Sequence, residues 1–240
     1  MKFKEIMAKA LQPKNGQRAQ LQIRALDEPG AVEVLLYDQI GFWGITAEDF
    51  VREIKQITAL EIHLRIDCPG GDVFMARAMK TALEQHPARV IAHVDGVSAS
   101  AASYLMLGAD EIEMTKGAFV MIHNAWVMML GDKSDLRAEA DVLEKIDGSI
   151  ADDYVAKTGT GKDEITALMA AETWFDAEEA LAIGLIDRIY QKDEAPAARF
   201  DLSVFENPPA ALAAADFDQA VAARRAAQMR RLEHFERVAP

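Results

Sequence analysis

Alternating hydrophobic and polar residues mark a series of strands along the first half of the chain. The pattern begins at LQIRAL, continues through VEVLLYDQI, and returns in ALEIHLRID, and the run VIAHV is also typical of a strand. A side-chain period of two residues is typical of strands with one buried face. The shorter segments EIEMT and AFVMI also have the length and composition of strands. Segments with helical periodicity separate several of these runs, so the sequence predicts a mixture of strands and helices.

Two of the predicted strands end in turns of small residues that lead directly into helices. The first turn is CPGGD, followed by VFMARAMKTALEQ, and the second is DGVS, followed by a segment rich in Ala and Ser. Two β–turn–α units in tandem indicate parallel strands covered by helices. Ligands in such α/β folds bind at the carboxyl ends of the strands, where both turns are expected.

Further helices are predicted where a capping residue precedes an apolar face with helical spacing. They lie at residues 46–56, 134–157, 163–171 and 176–184. Thr46 with Asp49, and Asp176 with Glu179, have the spacing of N-terminal caps. One apolar face of the long 134–157 helix is formed by Leu136, Leu143, Ile146, Ile150 and Tyr154.

Composition divides the chain into three parts. Residues 1–20 are polar and predict an N-terminal arm, whereas residues 21–191 carry the signals of one folded domain. Residues 192–240 begin as an Ala/Pro-rich linker and continue into a tail with a predicted helix at 216–238. A solvated tail helix is the simpler interpretation, and an arm that contacts a partner or another subunit is the alternative.

The overall composition predicts a soluble, intracellular protein. The net charge of -13 argues against non-specific binding to nucleic acid or to anionic membranes. The chain has neither a secretory h-region nor an apolar run of membrane-spanning length. The single cysteine, Cys68, excludes an internal disulfide framework and a Cys-rich zinc site. Without HExxH or a Walker-type loop, we expect no metal and no nucleotide cofactor.

Ser100 is the candidate nucleophile. It lies in the small-residue segment VSASAAS, where a predicted strand gives way to a helix. Unpaired backbone N–H groups and the helix dipole stabilise negative charge at such a position. The alternative is close packing of the helix on the sheet, with the serines bonded to the backbone.

A serine nucleophile needs a base and donors for the oxyanion. Among the five histidines, His123 directly follows the strand AFVMI and is expected where strand ends gather. His63 and His93 lie in the middle of strands, where we expect structural roles. The N–H groups of the Gly70–Gly71 turn and of Ala101 are the candidate oxyanion donors.

Four segments in the same order resemble the proteolytic subunit of Clp protease (ClpP). IDCPGGDVFMARAM resembles its SPGG segment, GVSASAASYLMLGAD its nucleophile segment, VMIHNAW its MIH motif, and WFDAEEALAIGLID its late acidic helix. The resemblance covers roughly residues 20–190. It implies an α/β fold of the ClpP/crotonase type, with repeated β-β-α units and a protruding handle helix at 134–157.

The resemblance also implies the chemistry of a serine endopeptidase that needs no cofactor. Ser100 would be the nucleophile, His123 the general base, and Gly71 and Ala101 the oxyanion hole. The aspartate of the family falls on Glu172 in this sequence, and Asp176 is a nearby alternative. The family resemblance further implies a homo-oligomeric ring, a heptamer or a double ring, that acts on polypeptide substrates.

Three segments resemble the ClpP-related proteases of phages and prophages: DQIGFWGITAEDF, GGDVFMARAM and ETWFDAEEA. That branch implies head maturation in a bacterial cytoplasm, by cleavage of scaffold, portal or capsid precursors. The sequence is also compatible with three other hypotheses. They are a general proteolytic subunit that works with a separate ATPase, a crotonase-type acyl-CoA enzyme, and a catalytically silent subunit of a phage head. Cys68 as the nucleophile is a further alternative, although a small buried apolar role suits it better.

Overall fold

The computed structural model describes residues 21–27, 30–190 and 205–209. The predicted N-terminal arm and most of the predicted C-terminal tail, including the 216–238 helix, lie outside the described residues. The division of the chain into three parts therefore stays a prediction.

Within residues 21–190 the described strands form one eight-stranded sheet. They are β1 (Gln22–Ala25), β2 (Ala31–Leu36), β3 (Glu61–Cys68), β4 (Arg89–Ala99), β5 (Glu111–Thr115), β6 (Phe119–Ile122), β7 (Thr173–Phe175) and β8 (Arg188–Tyr190). The main order is β1-β2-β3-β4-β5-β8. The β2–β3–β4–β5–β8 pairs are parallel, and β1 is an antiparallel edge.

The sheet divides along the length of β4. The first part of β4, Ile91 to Val94, pairs with β5, and the last part, Val97 to Ala99, pairs with β6. Both pairings are parallel, whereas β7 adds to β6 in the antiparallel direction. As a result, the carboxyl ends of β4 and β6 lie side by side.

The described helices are α1 (Ala47–Ile54), α2 (Val73–Glu84), α3 (Ala101–Leu105), α4 (Lys133–Thr158), α5 (Lys162–Ala170) and α6 (Ala177–Ala182). The α/β fold predicted from the sequence, with its parallel strands and intervening helices, is confirmed. The predicted cap at Thr46 also forms: the backbone N–H of Asp49 donates to Thr46 Oγ1 at 3.2 Å. The first helix is shorter than predicted and ends at Ile54 rather than near Gln56.

The hydrophobic core lies on one face of the sheet. Alternate residues of β3, namely Ile62, Leu64 and Ile66, are fully buried there. On the other face, His63 Nδ1 and His93 Nε2 lie 2.8 Å apart, and His93 Nδ1 contacts the carboxylate of Glu113. The two histidines therefore connect neighbouring strands, and the prediction of structural roles for them fits these contacts.

The long helix α4 differs from its prediction in which residues it buries. Ile150 and Tyr154 are buried, but Leu136 is 50% exposed. The predicted apolar face is continuous in sequence, yet only the C-terminal half of α4 packs on the core. The helix begins at a capping box formed by Asp132 and Asp135 and ends at Gly159, whose φ is 72°.

Candidate active site

Ser100 forms the turn between β4 and α3. Its φ of 56° and ψ of -124° lie in a region that residues other than glycine rarely adopt. The Ser100 N–H donates to the carbonyl of Met121 at 2.9 Å, and its carbonyl accepts from the N–H of Tyr104 at 3.2 Å. These bonds hold the strained residue between strand and helix. Sharp strand-to-helix turns of this kind expose a nucleophilic serine in several hydrolases.

His123 directly follows β6 and lies next to Ser100. Because β6 is parallel to the last part of β4, the residues after both strands are neighbours. Ser100 Oγ and His123 Nε2 are 2.7 Å apart, a hydrogen-bonding distance. Burial lowers the pKa of His123 below its ordinary value, and the negative charge of Glu172 acts in the opposite direction. The imidazole is therefore neutral at neutral pH, as a general base must be.

The Gly70–Gly71 turn lies against the same serine. A Cβ atom on Gly70 would be 2.6 Å from the Ala99 carbonyl oxygen and 2.8 Å from Ser100 Cβ. The backbone of Ile40 bonds to the residues on either side of Gly71, through Gly70 O at 2.7 Å and Asp72 N at 3.0 Å. In a parallel bridge this geometry turns the N–H of Gly71 away from Ile40.

Two backbone donors near Ser100 are available to bind an anion. Among the residues described, neither the N–H of Gly71 nor that of Ala101 donates a hydrogen bond to another protein atom. Ala101 directly follows Ser100, and Gly71 directly follows Gly70, which lies against Ser100. These are the two donors predicted from the sequence.

Glu172 lies beside His123 in the register of the sheet. Ile122 of β6 pairs with Thr173 of β7 in the antiparallel direction, which brings the next residues, His123 and Glu172, opposite each other. Glu172 is only 8% exposed, and its φ is 49°. Within the described ranges its carboxylate has no hydrogen bond to His123, so the effect on the imidazole is electrostatic.

The hydrogen bonds of the Glu172 carboxylate come from other groups. The backbone N–H of Asn207 donates to Oε1 at 2.6 Å, and that of Glu206 donates to Oε2 at 2.9 Å. The indole N–H of Trp174 makes a longer bond of 3.4 Å to Oε1. Sequence reasoning missed the two backbone donors, because they lie within the stretch predicted as a linker and tail.

Asp176, the alternative acid, caps a helix. Its Oδ1 accepts from the N–H groups of Glu178 and Glu179, both at 2.9 Å, in a complete capping box at the start of α6. The capping prediction is confirmed. Because Asp176 Oδ1 already accepts two backbone hydrogen bonds, Asp176 is a weaker candidate than Glu172 for the catalytic acid.

Cys68 is fully buried at the end of β3. Burial strongly raises the pKa of its thiol, so the thiolate that a nucleophile requires is absent at neutral pH. The small apolar role predicted for Cys68 fits this position.

Neither a metal-binding cluster nor a membrane-spanning helix is found among the described residues. Across the described part of the chain, no three His, Cys, Asp or Glu side chains are grouped so that they could hold a metal ion. In the same residues, no helix combines the length and hydrophobicity needed to cross a bilayer.

Comparison with known proteins identifies the family. The sequence profile described as Clp protease matches residues 45–193, which is more than half of the chain. The chain belongs to the Clp protease family. The matched range contains Gly71, Ser100, Ala101, His123 and Glu172. Membership in this family of peptidases confirms the resemblance that the four sequence segments indicated.

Several curated members of the Clp protease family are similar to this chain at low identity. An ATP-dependent Clp protease proteolytic subunit from Deinococcus radiodurans is 27% identical over 166 residues, 65% of this chain and 81% of that protein. Proteolytic subunit 2 from Corynebacterium diphtheriae is 25% identical over 180 residues, 68% and 88% of the two chains. The Porphyromonas gingivalis subunit is 24% identical over 207 residues, 80% and 90% of the two chains.

Proposed function

We propose that this protein is a serine endopeptidase that cleaves polypeptides through an acyl-enzyme. The observation that carries the proposal is the 2.7 Å separation between Ser100 Oγ and His123 Nε2. A neutral, half-buried imidazole at that distance can accept the hydroxyl proton as the oxygen attacks a carbonyl carbon. The Clp protease family, whose relatives are named as proteolytic subunits, supports peptide bonds as the substrate class.

The proposed reaction has two stages. Ser100 Oγ attacks the peptide carbonyl while its proton passes to His123 Nε2, and the resulting oxyanion accepts hydrogen bonds from the N–H groups of Gly71 and Ala101. The tetrahedral intermediate collapses when His123 returns the proton to the leaving amine. A water molecule then hydrolyses the acyl-enzyme by the same route. Each oxyanion donor stabilises the transition state by about 3 kcal/mol in comparable enzymes.

Glu172 is the proposed third member of the catalytic group. A buried carboxylate beside the imidazole stabilises the imidazolium that forms when His123 takes the proton. The electrostatic effect of Glu172 on the pKa of His123 supports this role. A direct bond to His123 is not required for a contribution of this kind, because Coulomb interactions in a buried site are weakly screened.

The biological role that we propose is head maturation in a phage or prophage. The protein would cleave scaffold, portal or capsid precursors as a homo-oligomeric ring in the cytoplasm of a bacterial host. Support comes from the segments DQIGFWGITAEDF, GGDVFMARAM and ETWFDAEEA, which resemble that branch of the family. A general proteolytic subunit that works with a separate ATPase is the alternative. Portal and capsid genes next to this one favour head maturation, whereas an adjacent unfoldase gene favours the alternative.

A fluorophosphonate probe tests the enzymatic proposal without knowledge of the natural substrate. We expect the wild type to be labelled at Ser100, and Ser100→Ala to lose both labelling and peptide hydrolysis while keeping its fold. Ser98→Ala is the matched control, since Ser98 is a buried serine two residues away whose hydroxyl contacts Met106 Sδ. Labelling of Ser100→Ala at another serine would show that the nucleophile is misassigned.

A further inference from the structure

A short segment from beyond the protease domain reaches the active site. Residues 205–209, here called the tail strap, are described by the structure next to His123, Glu172 and Trp174. The strap lies outside the range 45–193 that matches the Clp protease family. It is therefore an addition to the elements by which the family was recognised.

The strap supplies the two short hydrogen bonds of the buried Glu172 carboxylate. The N–H of Glu206 donates to one oxygen at 2.9 Å and the N–H of Asn207 to the other at 2.6 Å. In the part of the chain that the structure describes, the other donor is Trp174, at the longer distance of 3.4 Å. A buried carboxylate without such donors is strongly disfavoured. Hydrogen bonds from the strap to both oxygens satisfy the carboxylate and fix its orientation.

The strap also covers the imidazole of the base. The ring centroid of Phe205 is 5.8 Å from that of His123 and 5.5 Å from that of Trp174, with edge-to-face geometry in both pairs. Phe205 packs against the small cluster of Val97, Ala99 and Met121 under the end of β4. Its ring thereby excludes water from one side of His123.

The described hydrogen bonds of the strap do not reach the serine or the oxyanion donors. Its described hydrogen bonds go to the carboxylate of Glu172 and, from Asn207 Nδ2, to the carbonyl of Ala171 at 3.3 Å. None of them involves Ser100, Gly71 or Ala101 in the described structure. This distribution suits a segment that orients the acid and the base, and not one that fills the position of the substrate.

We infer that the tail strap is a positioning element of the active site, in which the backbone of Glu206 and Asn207 orients Glu172 and the ring of Phe205 shields His123. The inference rests on the proposed peptidase function. It gives part of the C-terminal region a role in the reactivity of Ser100 that acts through Glu172 and His123.

The first test compares two substitutions at one position. Glu206→Pro removes the N–H that donates to Glu172, whereas Glu206→Ala keeps it and removes only the side chain. We expect the rate of Ser100 labelling by a fluorophosphonate to fall at least about tenfold in Glu206→Pro and to stay within twofold of wild type in Glu206→Ala. Circular dichroism and a thermal melt verify that both full-length variants fold.

The second test uses the pH dependence of labelling. Loss of the Phe205 ring hydrates His123, so the pKa of its imidazole rises towards the ordinary value. Labelling needs the neutral imidazole and is lost as the pH falls through that pKa. The pH at which labelling falls to half on the acid side should therefore be higher in Phe205→Ala than in wild type, by about 0.5 to 1 pH unit. In Phe205→Leu, which restores a large apolar side chain, it should return to the wild-type value. Among the described residues, the charged group that acts on the His123 imidazole is Glu172, and neither Phe205 substitution changes it.

The outcomes separate this inference from the proposed function. If wild type is not labelled at Ser100, the peptidase proposal and the inference both fail. If wild type is labelled and Glu206→Pro and Phe205→Ala match their controls in rate and pH profile, only the role of the strap is wrong. A variant that is labelled faster than wild type would make the strap an inhibitory cover and would equally overturn a positioning role. If Glu206→Pro does not fold, the pH dependence of labelling in Phe205→Ala and Phe205→Leu tests the role of the strap without it.

Discussion

At the level of single residues, the candidate site depends on backbone conformations that most amino acids avoid. Ser100 has a φ of 56°, and Gly70 beside it has a φ of 93°. A strained non-glycine residue costs of order 1–3 kcal/mol and persists where the surrounding structure enforces it. Here the enforcement comes from the bonds of Ser100 to Met121 and Tyr104.

Gly70→Ala tests how tightly the turn must approach Ser100. The added Cβ would lie 2.6 Å from the Ala99 carbonyl oxygen, and the positive φ disfavours any side chain. We expect a loss of about 2 kcal/mol or more in the free energy of unfolding, together with slower Ser100 labelling. Thermal and denaturant unfolding measure the first effect.

Gly148→Ala is the matched control for that substitution. In α4 a Cβ on Gly148 would meet no atom within 4 Å. Alanine in a helix interior is more favourable than glycine by about 0.5–1 kcal/mol. The control should be neutral or stabilising, and equal destabilisation by both substitutions would contradict the steric argument.

The protonation of His123 gives a pH prediction at the same level. Burial lowers the pKa of the imidazole, so the neutral base survives to a lower pH than in an exposed histidine. The acid limb of Ser100 labelling should therefore lie below about pH 6.5, the ordinary histidine value. Because the folded protein binds this proton less readily than the unfolded chain, stability also declines as the pH falls through the unfolded value. If labelling were lost already above the ordinary histidine pKa, the assignment of His123 as the base would be contradicted.

At the level of secondary-structure elements, the short strand β7 separates two acidic residues with different tasks. Glu172 precedes the strand and lies beside His123, whereas Asp176 follows it and caps α6. The two carboxylates are four residues apart in sequence, and only their neighbours distinguish them. Substitution of each one therefore separates catalysis from capping.

Asp176→Ala should affect stability, and Glu172→Gln should affect reactivity. Loss of an N-terminal cap costs about 1 kcal/mol, so we expect Asp176→Ala to lower the unfolding free energy by that amount with unchanged Ser100 labelling. Glu172→Gln removes the charge beside the imidazolium and should slow labelling at least about tenfold. The reverse pattern would identify Asp176 as the acid. Parallel melts and labelling rates on both variants decide the matter.

At the level of the whole molecule, apolar side chains outside the core indicate contacts with other subunits. Exposed ones are concentrated after His123 and along the first half of α4, at Trp126, Val127, Met128, Leu130, Leu136 and Val142. A cluster of apolar side chains left in water is unfavourable for a monomer. Burial of that surface between copies agrees with the homo-oligomeric ring that we propose.

Leu136→Glu tests this interpretation by light scattering after gel filtration. Leu136 is 50% exposed, and a buried charge in a subunit contact is costly, so the variant should give particles of lower mass. Leu60→Glu is the control, because Leu60 is 81% exposed and directly precedes β3, outside α4. An assembly that is unchanged by Leu136→Glu would place the subunit contact elsewhere.

Local sequence patterns were sufficient to predict the features that depend on nearby residues. Period-two alternation identified β2 and β3, and strand-like composition identified β5, β6 and the first part of β4. The Gly70–Gly71 pair identified the turn, and the spacing of Asp176 and Glu179 identified a cap. The turn predicted at DGVS was wrong, because β4 continues through those residues to Ala99. Ser100 and His123 could also be proposed, because each follows a strand whose carboxyl end is predicted to lie at the same edge of the sheet. These signals are local, since period, turn and cap are each encoded within a few residues.

The contacts between distant segments became visible only in the folded chain. The pairing of the last part of β4 with β6 brings Ser100 to within 2.7 Å of His123, and the antiparallel β6–β7 pair brings Glu172 alongside. The hydrogen bonds of Glu206 and Asn207 to Glu172 join residues more than thirty positions apart, so the spacing of hydrophobic residues cannot predict them. The same holds for α4, whose uniform apolar spacing cannot distinguish the half that packs on the core from the exposed half. Burial is set by which surfaces meet in the fold, and local sequence patterns do not record those partners.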